Sequence, residues 1–149
     1  MSEVLFYHLE RRTLEEVLPG LLLRCLDRSW RVLLRAGSVE RVAALDAHLW
    51  SYDEESFLPH GTAKEGAADE QPIYLTEGSD NPNRANVYFA VDGASLPDMT
   101  LFERTVCVFD GNDPTALEDA RAAWRAVKQQ SLAATYWRQS PSGGWERQG

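Results

Sequence analysis

Val4-Leu5-Phe6-Tyr7-His8-Leu9 runs into the turn Glu10-Arg11-Arg12-Thr13 and then into Leu14-Glu15-Glu16. The first six residues read as a short buried strand. Thr13 followed three residues later by Glu16 is the capping-box pattern, so a helix opens there. Strand, tight turn and helix at this end of the chain point to an α/β layered fold. The turn itself contains no glycine. A dinucleotide fingerprint or a Walker loop needs glycine so that the backbone can approach phosphate. The opening unit therefore has a nucleotide-binding-like topology without a phosphate loop.

The remaining elements extend this pattern. The first helix is predicted to run to about Trp30, with Pro19 interrupting it. Arg31–Ala36 is the second strand, and Ser38 caps a helix to Trp50. Residues 51–71 are irregular. Strands follow at Pro72–Thr76, Ala85–Val91 and Arg104–Phe109, with a short helical turn near Leu96–Phe102. Asp113 and Pro114 form an N-cap and N1 pair, and the last helix is predicted to reach Ala134. The expectation is a single three-layer domain over residues 1–139 with a mostly parallel five-stranded sheet. Ser140-Pro141-Ser142-Gly143-Gly144 opens a C-terminal tail, residues 140–149, flexible in composition, from which Trp145 can pack back.

Composition bounds the function. Of 149 residues, 44% are hydrophobic and 26% charged, as in an ordinary soluble globular domain. Cys25 and Cys107 lack CxxC spacing and read as reduced core thiols of a cytoplasmic protein. The longest apolar run near the N-terminus, Leu21-Leu22-Leu23, is too short to span a bilayer, and no membrane association is expected. His8, His48 and His60 are scattered without metal-ligand spacing, so neither a metal nor a cofactor is expected. Asp53-Glu54-Glu55 reads as a solvated loop cluster, and Ser56 lacks a nucleophile-elbow context.

The charge is unevenly placed. The chain carries −8 overall, divided as −11 over residues 1–118 and +3 over residues 119–149. Arg121, Arg125 and Lys128 fall at i, i+4 and i+7 on the last helix, along one side, with Trp124 beside them. Cations around an aromatic ring suit a ligand that is anionic and partly apolar. A solvated helix face with Trp124 in the core accounts for the same spacing.

Longer-range order in the sequence resembles a known family. Phe6-Tyr7-x-Leu9, Arg31-Val32-Leu33-Leu34, and Leu45-Asp46-x-x-Leu49-Trp50 occur in sequence, followed by Glu55-Ser56-Phe57-Leu58-Pro59-His60 and the loop to Glu65-Gly66. Ala120-Arg121-x-x-Trp124-Arg125-x-x-Lys128 closes the series. Together they resemble the chi subunit of bacterial DNA polymerase III over nearly the whole chain. The resemblance implies a non-catalytic clamp-loader accessory protein with no cofactor. Such a protein bridges the psi subunit, or another clamp-loader subunit, to single-stranded DNA-binding protein, whose acidic C-terminal tail ends in an apolar aromatic residue with a free carboxylate. By motif position, Arg121, Trp124, Arg125 and Lys128 would bind that tail. Trp124 stands where better-known members have tyrosine, Arg125 where they have lysine, and Lys128 where they have arginine. Trp50, Phe57, Leu58 and Pro59 would form the psi interface, although ordinary core packing explains Trp50 and Phe57 as well. DNA would be reached mainly through the bound protein. Two other readings use the same residues: a small nucleotide-using α/β enzyme, and a weak direct binder of single-stranded DNA through Trp124, Tyr136, Trp137, Trp145 and Arg138.

Overall fold

The computed structural model describes residues 2–53, 58–78, 80–142 and 144–148. Among these, β1 (Glu3–Leu9), β2 (Val32–Arg35), β3 (Ile73–Thr76), β4 (Val87–Ala90), β5 (Arg104–Asp110), β6 (Ala133–Gln139) and β7 (Trp145–Arg147) form one sheet. Its order is β3-β2-β4-β5-β1-β6-β7, and every pairing is parallel except β6 with β7. Helices α1 (Leu14–Asp27) and α2 (Val39–Ser51) pack on one face, and α3 (Pro114–Gln129) packs on the other.

Strand β1 lies between β5 and β6, and its alternation serves both layers. Val4 and Phe6 point into the cluster beneath α3, while Tyr7 and Leu9 belong to the cluster beneath α1 and α2. The three N-caps read from the sequence are all formed. Glu16 N–H donates to Thr13 Oγ1 at 3.3 Å, and Thr13 N–H donates back to Glu16 Oε1 at 3.0 Å. Ser38 caps α2, and Asp113 caps α3 with Pro114 in its first turn. Pro19 does not end α1 but sits inside it. Lacking an N–H, Pro19 leaves the Glu15 carbonyl without its helical donor. His48 Nε2 on α2 fills that vacancy at 2.6 Å, so the proline becomes a tie between two helices.

The sheet has seven strands where five were expected, and both additional strands follow α3. The sequence extends the last helix to Ala134, but α3 stops at Gln129. Ser131 takes φ 59°, its N–H donates to the Lys128 carbonyl, and Leu132 N–H donates to the Val127 carbonyl. That is a Schellman motif with serine in the position that glycine usually holds. Helix α1 ends the same way, three residues short of Trp30: Ser29 takes φ 60°, and Trp30 N–H donates to the Cys25 carbonyl. Without glycine, neither stop signal is legible in the sequence. Residues released from the helix then pair with β1 across positions 133–138. Residues 140–149, read as a tail, carry β7. Ser140 N–H donates to the Gly144 carbonyl at 2.8 Å, and Trp145 packs edge-on against Tyr7 with ring centroids 5.0 Å apart.

The left-handed conformation costs roughly 1 kcal/mol for a residue with a Cβ, partly offset by the lower unfolded-state entropy of serine relative to glycine. Ser29→Gly and Ser131→Gly are each expected to stabilise the protein by about 0.5 kcal/mol, a rise of roughly 1–2 °C in Tm by calorimetry. A fall in Tm for both would refute this account of the helix ends.

Candidate functional site

Two concave regions flank α3, and they differ in charge. The larger lies at the carboxyl ends of the parallel strands, between β1 and β5, whose following helices cross to opposite faces of the sheet. A nucleotide would bind at this switch point in such a topology. The crevice measures about 900 Å³, and Arg11, Arg12 and Arg41 in its lining are outnumbered by Glu10, Glu15, Asp92, Asp110, Asp113 and Asp119. Its backbone donors are already used. The backbone N–H groups of Glu10, Arg11 and Arg12 converge on Gln139 Oε1 at 2.8, 2.8 and 3.1 Å. Such a run of N–H groups before a helix is a phosphate-binding device. Here a side chain from β6, only 3% exposed, occupies it.

The smaller pocket, about 320 Å³, is lined by Arg121, Trp124, Arg125, Tyr136 and Gln148. Helix α3 creates it through its two stripes. Ala120 and Val127 are buried against the sheet, with Leu117, Ala123 and Trp124 partly so. Arg121, Arg125 and Lys128 each follow one of the inward positions Ala120, Trp124 and Val127, so they lie about 100° further round the helix and are exposed. Trp124 is therefore both core residue and pocket wall. Its ring meets Phe6 edge-on at 5.5 Å and Tyr136 edge-on at 5.7 Å, which fixes its orientation. Lys128 Nζ lies 5.3 Å from the centre of the Trp124 ring. Among the described residues, Arg121, Arg125 and Lys128 have no carboxylate within 4.0 Å. By contrast, Arg41, Arg104 and Arg138 are tied to Glu15 and Asp92, to Glu3, and to Glu10.

Tyr136 and Gln148 escape sequence reasoning as pocket walls because only the parallel pairing of β6 with β1, and the hairpin to β7, bring them beside α3. Behind the pocket, the Tyr136 hydroxyl is 2.7 Å from His8 Nδ1, and His8 Nε2 is 3.4 Å from Glu10 Oε1. Arg138 Nε donates to the same Glu10 oxygen at 2.8 Å, and that hydrogen bond holds the carboxyl below its usual range. Burial lowers the His8 pKa, and the charges of Arg138 and Arg121 push it the same way against Glu10. Neutral His8 thus directs Nε2–H toward Glu10 and accepts the Tyr136 O–H at Nδ1. Gly111 is required beneath this chain, since a Cβ there would lie 1.9 Å from His8 Nε2.

The other sequence candidates separate. Trp50 is 48% exposed and lies over His60, with ring centroids 4.1 Å apart. Pro59 is half-buried, whereas Leu58 is 1% exposed and packs in the core with Leu45 and Leu49 of α2. Phe57, together with Glu54, Glu55 and Ser56, lies outside the described residues. His60 Nδ1 lies 2.6 Å from the Leu58 carbonyl and its Nε2 3.2 Å from the Asp46 carbonyl, anchoring the loop to α2. Burial pushes the Cys25 and Cys107 thiols up to about 11 and about 12, so both are protonated packing residues. No group of three or more metal-ligating side chains occurs among the described residues, and no helix there is long and apolar enough to cross a membrane.

Fold and site together define a three-layer α/β protein that fills its own phosphate position and carries an arginine-lined, aromatic-walled pocket on the flank of its last helix. Residues 1–135 match the family model described as DNA polymerase III chi subunit, HolC, and the chain belongs to that family of replicative polymerase accessory proteins. It is also 24% identical over 109 residues to the probable DNA polymerase III subunit chi of Rickettsia prowazekii (strain Madrid E). The aligned stretch covers 73% of this chain and 66% of that relative. Arg121, Trp124, Arg125 and Lys128 fall within the family match, and Tyr136 and Gln148 fall beyond it.

Gln139→Ala would leave three converging N–H groups without their acceptor. The expected cost is about 2 kcal/mol, or roughly 4–8 °C in Tm, and a shift under about 1 °C would show that the contact contributes nothing. His8 gives a pH signature. Its folded pKa lies below the unfolded value near 6.5, so its contribution is full above about pH 6.5 and is lost as pH falls toward the folded pKa. Denaturation curves between about pH 7 and 5 should show falling stability with a shallower slope in His8→Gln; equal slopes would remove His8 as the cause.

Proposed function

We propose that this protein is a replication adaptor without chemistry of its own, which binds the acidic C-terminal tail of single-stranded DNA-binding protein in the pocket between α3 and the β6–β7 edge and links it to the clamp loader. The observation that carries this reading is the row of three cations without carboxylate partners beside an aromatic-walled pocket, in a protein of net charge −8. Guanidinium groups of Arg121 and Arg125 suit carboxylates bidentately, and the cleft between Trp124 and Tyr136 suits one apolar terminal side chain. Lys128 extends the field along the helix as a point charge. The surface for psi, or for another clamp-loader subunit, is assigned to the end of α2 around Trp50 and Pro59, with Leu58 supporting it from the core. An exposed tryptophan stacked on a fixed histidine suits an interface anchor.

The filled N–H nest and the acidic crevice disfavour the nucleotide-using enzyme. Direct stacking of DNA bases is disfavoured because Trp124 and Tyr136 meet edge-on within the cluster and Trp145 is packed on Tyr7. DNA is reached by way of the bound protein.

A synthetic acidic peptide ending in phenylalanine, titrated by calorimetry, tests this function. Arg125→Ala is expected to weaken binding about tenfold or more with Tm unchanged, because a charge-assisted hydrogen bond contributes about 1.5–3 kcal/mol. Affinity should fall steeply between about 0.05 and 0.3 M salt, since the cations are exposed. Unchanged affinity in the variant would overturn the site assignment.

A further inference from the structure

We propose that Gln148, carried by the β6–β7 hairpin, contacts the bound ligand as the wall of the pocket opposite α3 and sets how tightly a carboxylate-terminated peptide is held. This rests on the reading of the pocket as a peptide-tail site and deepens it.

The register places the side chain. Gln139, Arg138 and Trp137 of β6 stand opposite Trp145, Glu146 and Arg147 of β7. The ladder continues one step further, where Gln148 N–H donates to the Tyr136 carbonyl at 2.7 Å. Successive strand residues alternate between faces. Trp145 packs on Tyr7, on the face covered by α1, so Gln148, three residues on, emerges on the face of α3 beside Tyr136. There it closes a pocket whose other walls are Arg121, Trp124 and Arg125. The hairpin that presents it is held at its turn by the Ser140–Gly144 backbone bond and the Trp145–Tyr7 contact, and at its far end by the bond from Gln148 N–H to the Tyr136 carbonyl.

The chemistry of the position is informative. The guanidinium groups supply charge from one side of the pocket only. A neutral amide opposite them donates N–H to a carboxylate oxygen that the arginines leave free, and it accepts from a backbone N–H of the same peptide. Glu146, two residues back on the same face, stands opposite Arg138 and is not among the residues that line the pocket. The family match ends before Tyr136, so this wall lies outside the matched residues.

A charge series at one exposed position separates ligand contact from fold maintenance. Native protein, Gln148→Lys, Gln148→Ala, Gln148→Glu and Arg125→Ala are titrated against a labelled acidic peptide ending in phenylalanine, with anisotropy and Tm as readouts. Binding is expected to weaken about threefold in Gln148→Ala and about tenfold in Gln148→Glu, to hold or tighten in Gln148→Lys, and Tm to stay constant across the three. If the position-148 series is flat while Arg125→Ala loses binding, the inference fails and the tail site stands. If the native protein does not bind the peptide, the tail reading fails and takes this inference with it.

Discussion

Burial of β1 on both faces is the constraint on which the rest of the structure depends. Its side chains at Val4 and Phe6 carry α3, and those at Tyr7 and Leu9 carry α1 and the hairpin through Trp145. A slip of one residue would exchange the two sets and face every contact the wrong way. Phe6 decides the geometry of the pocket. It meets Trp124 edge-on at 5.5 Å and stacks with Tyr136 at 6.2 Å, so one core ring sets the relation between helix α3 and strand β6. The pocket is the outer surface of that arrangement. Its two aromatic walls are held by the core, and only its cations are free to move.

The same layering closes the backbone donors at the end of the sheet. In this topology the backbone N–H groups before α1 are a ready phosphate cradle. Each helix N-terminus here is satisfied internally: α1 by Thr13 and Glu16, α2 by Ser38, and α3 by Asp113. The turn ahead of α1 is filled by Gln139. With these donors used, an anion must be met by side chains, and those side chains sit where the sequence concentrates its positive charge.

Much of this was legible in the sequence, and the exceptions have physical causes. The three caps, the strands up to β5, the missing phosphate loop and the basic stripe are local patterns of few residues, each with its own signature. The ends of α1 and α3 were hidden because Ser29 and Ser131 take the left-handed conformation that glycine normally announces. That single ambiguity concealed β6, and with β6 the hairpin to β7. Tyr136 and Gln148 became pocket walls only through pairing with a strand more than a hundred residues earlier, which no local pattern encodes. Leu58 illustrates the converse: its apolar character fits an interface and a core equally, and packing against α2 put it at 1% exposure.

The position of the stripe along α3 shows what it costs to keep three cations without carboxylate partners. Lys128 lies in the last turn of the helix, with Arg125 one turn before it and Arg121 at its middle, while Asp113 is the N-cap. Asp113 and Lys128 agree with the helix macrodipole, each worth roughly 0.3–1 kcal/mol at the ends. The nearest cations are thus stabilised by the backbone carbonyls without an ion pair that a ligand would have to break. The same dipole opposes an anion docking there. A ligand carboxylate gains nothing from the helix backbone at that end and must be held by the side chains alone.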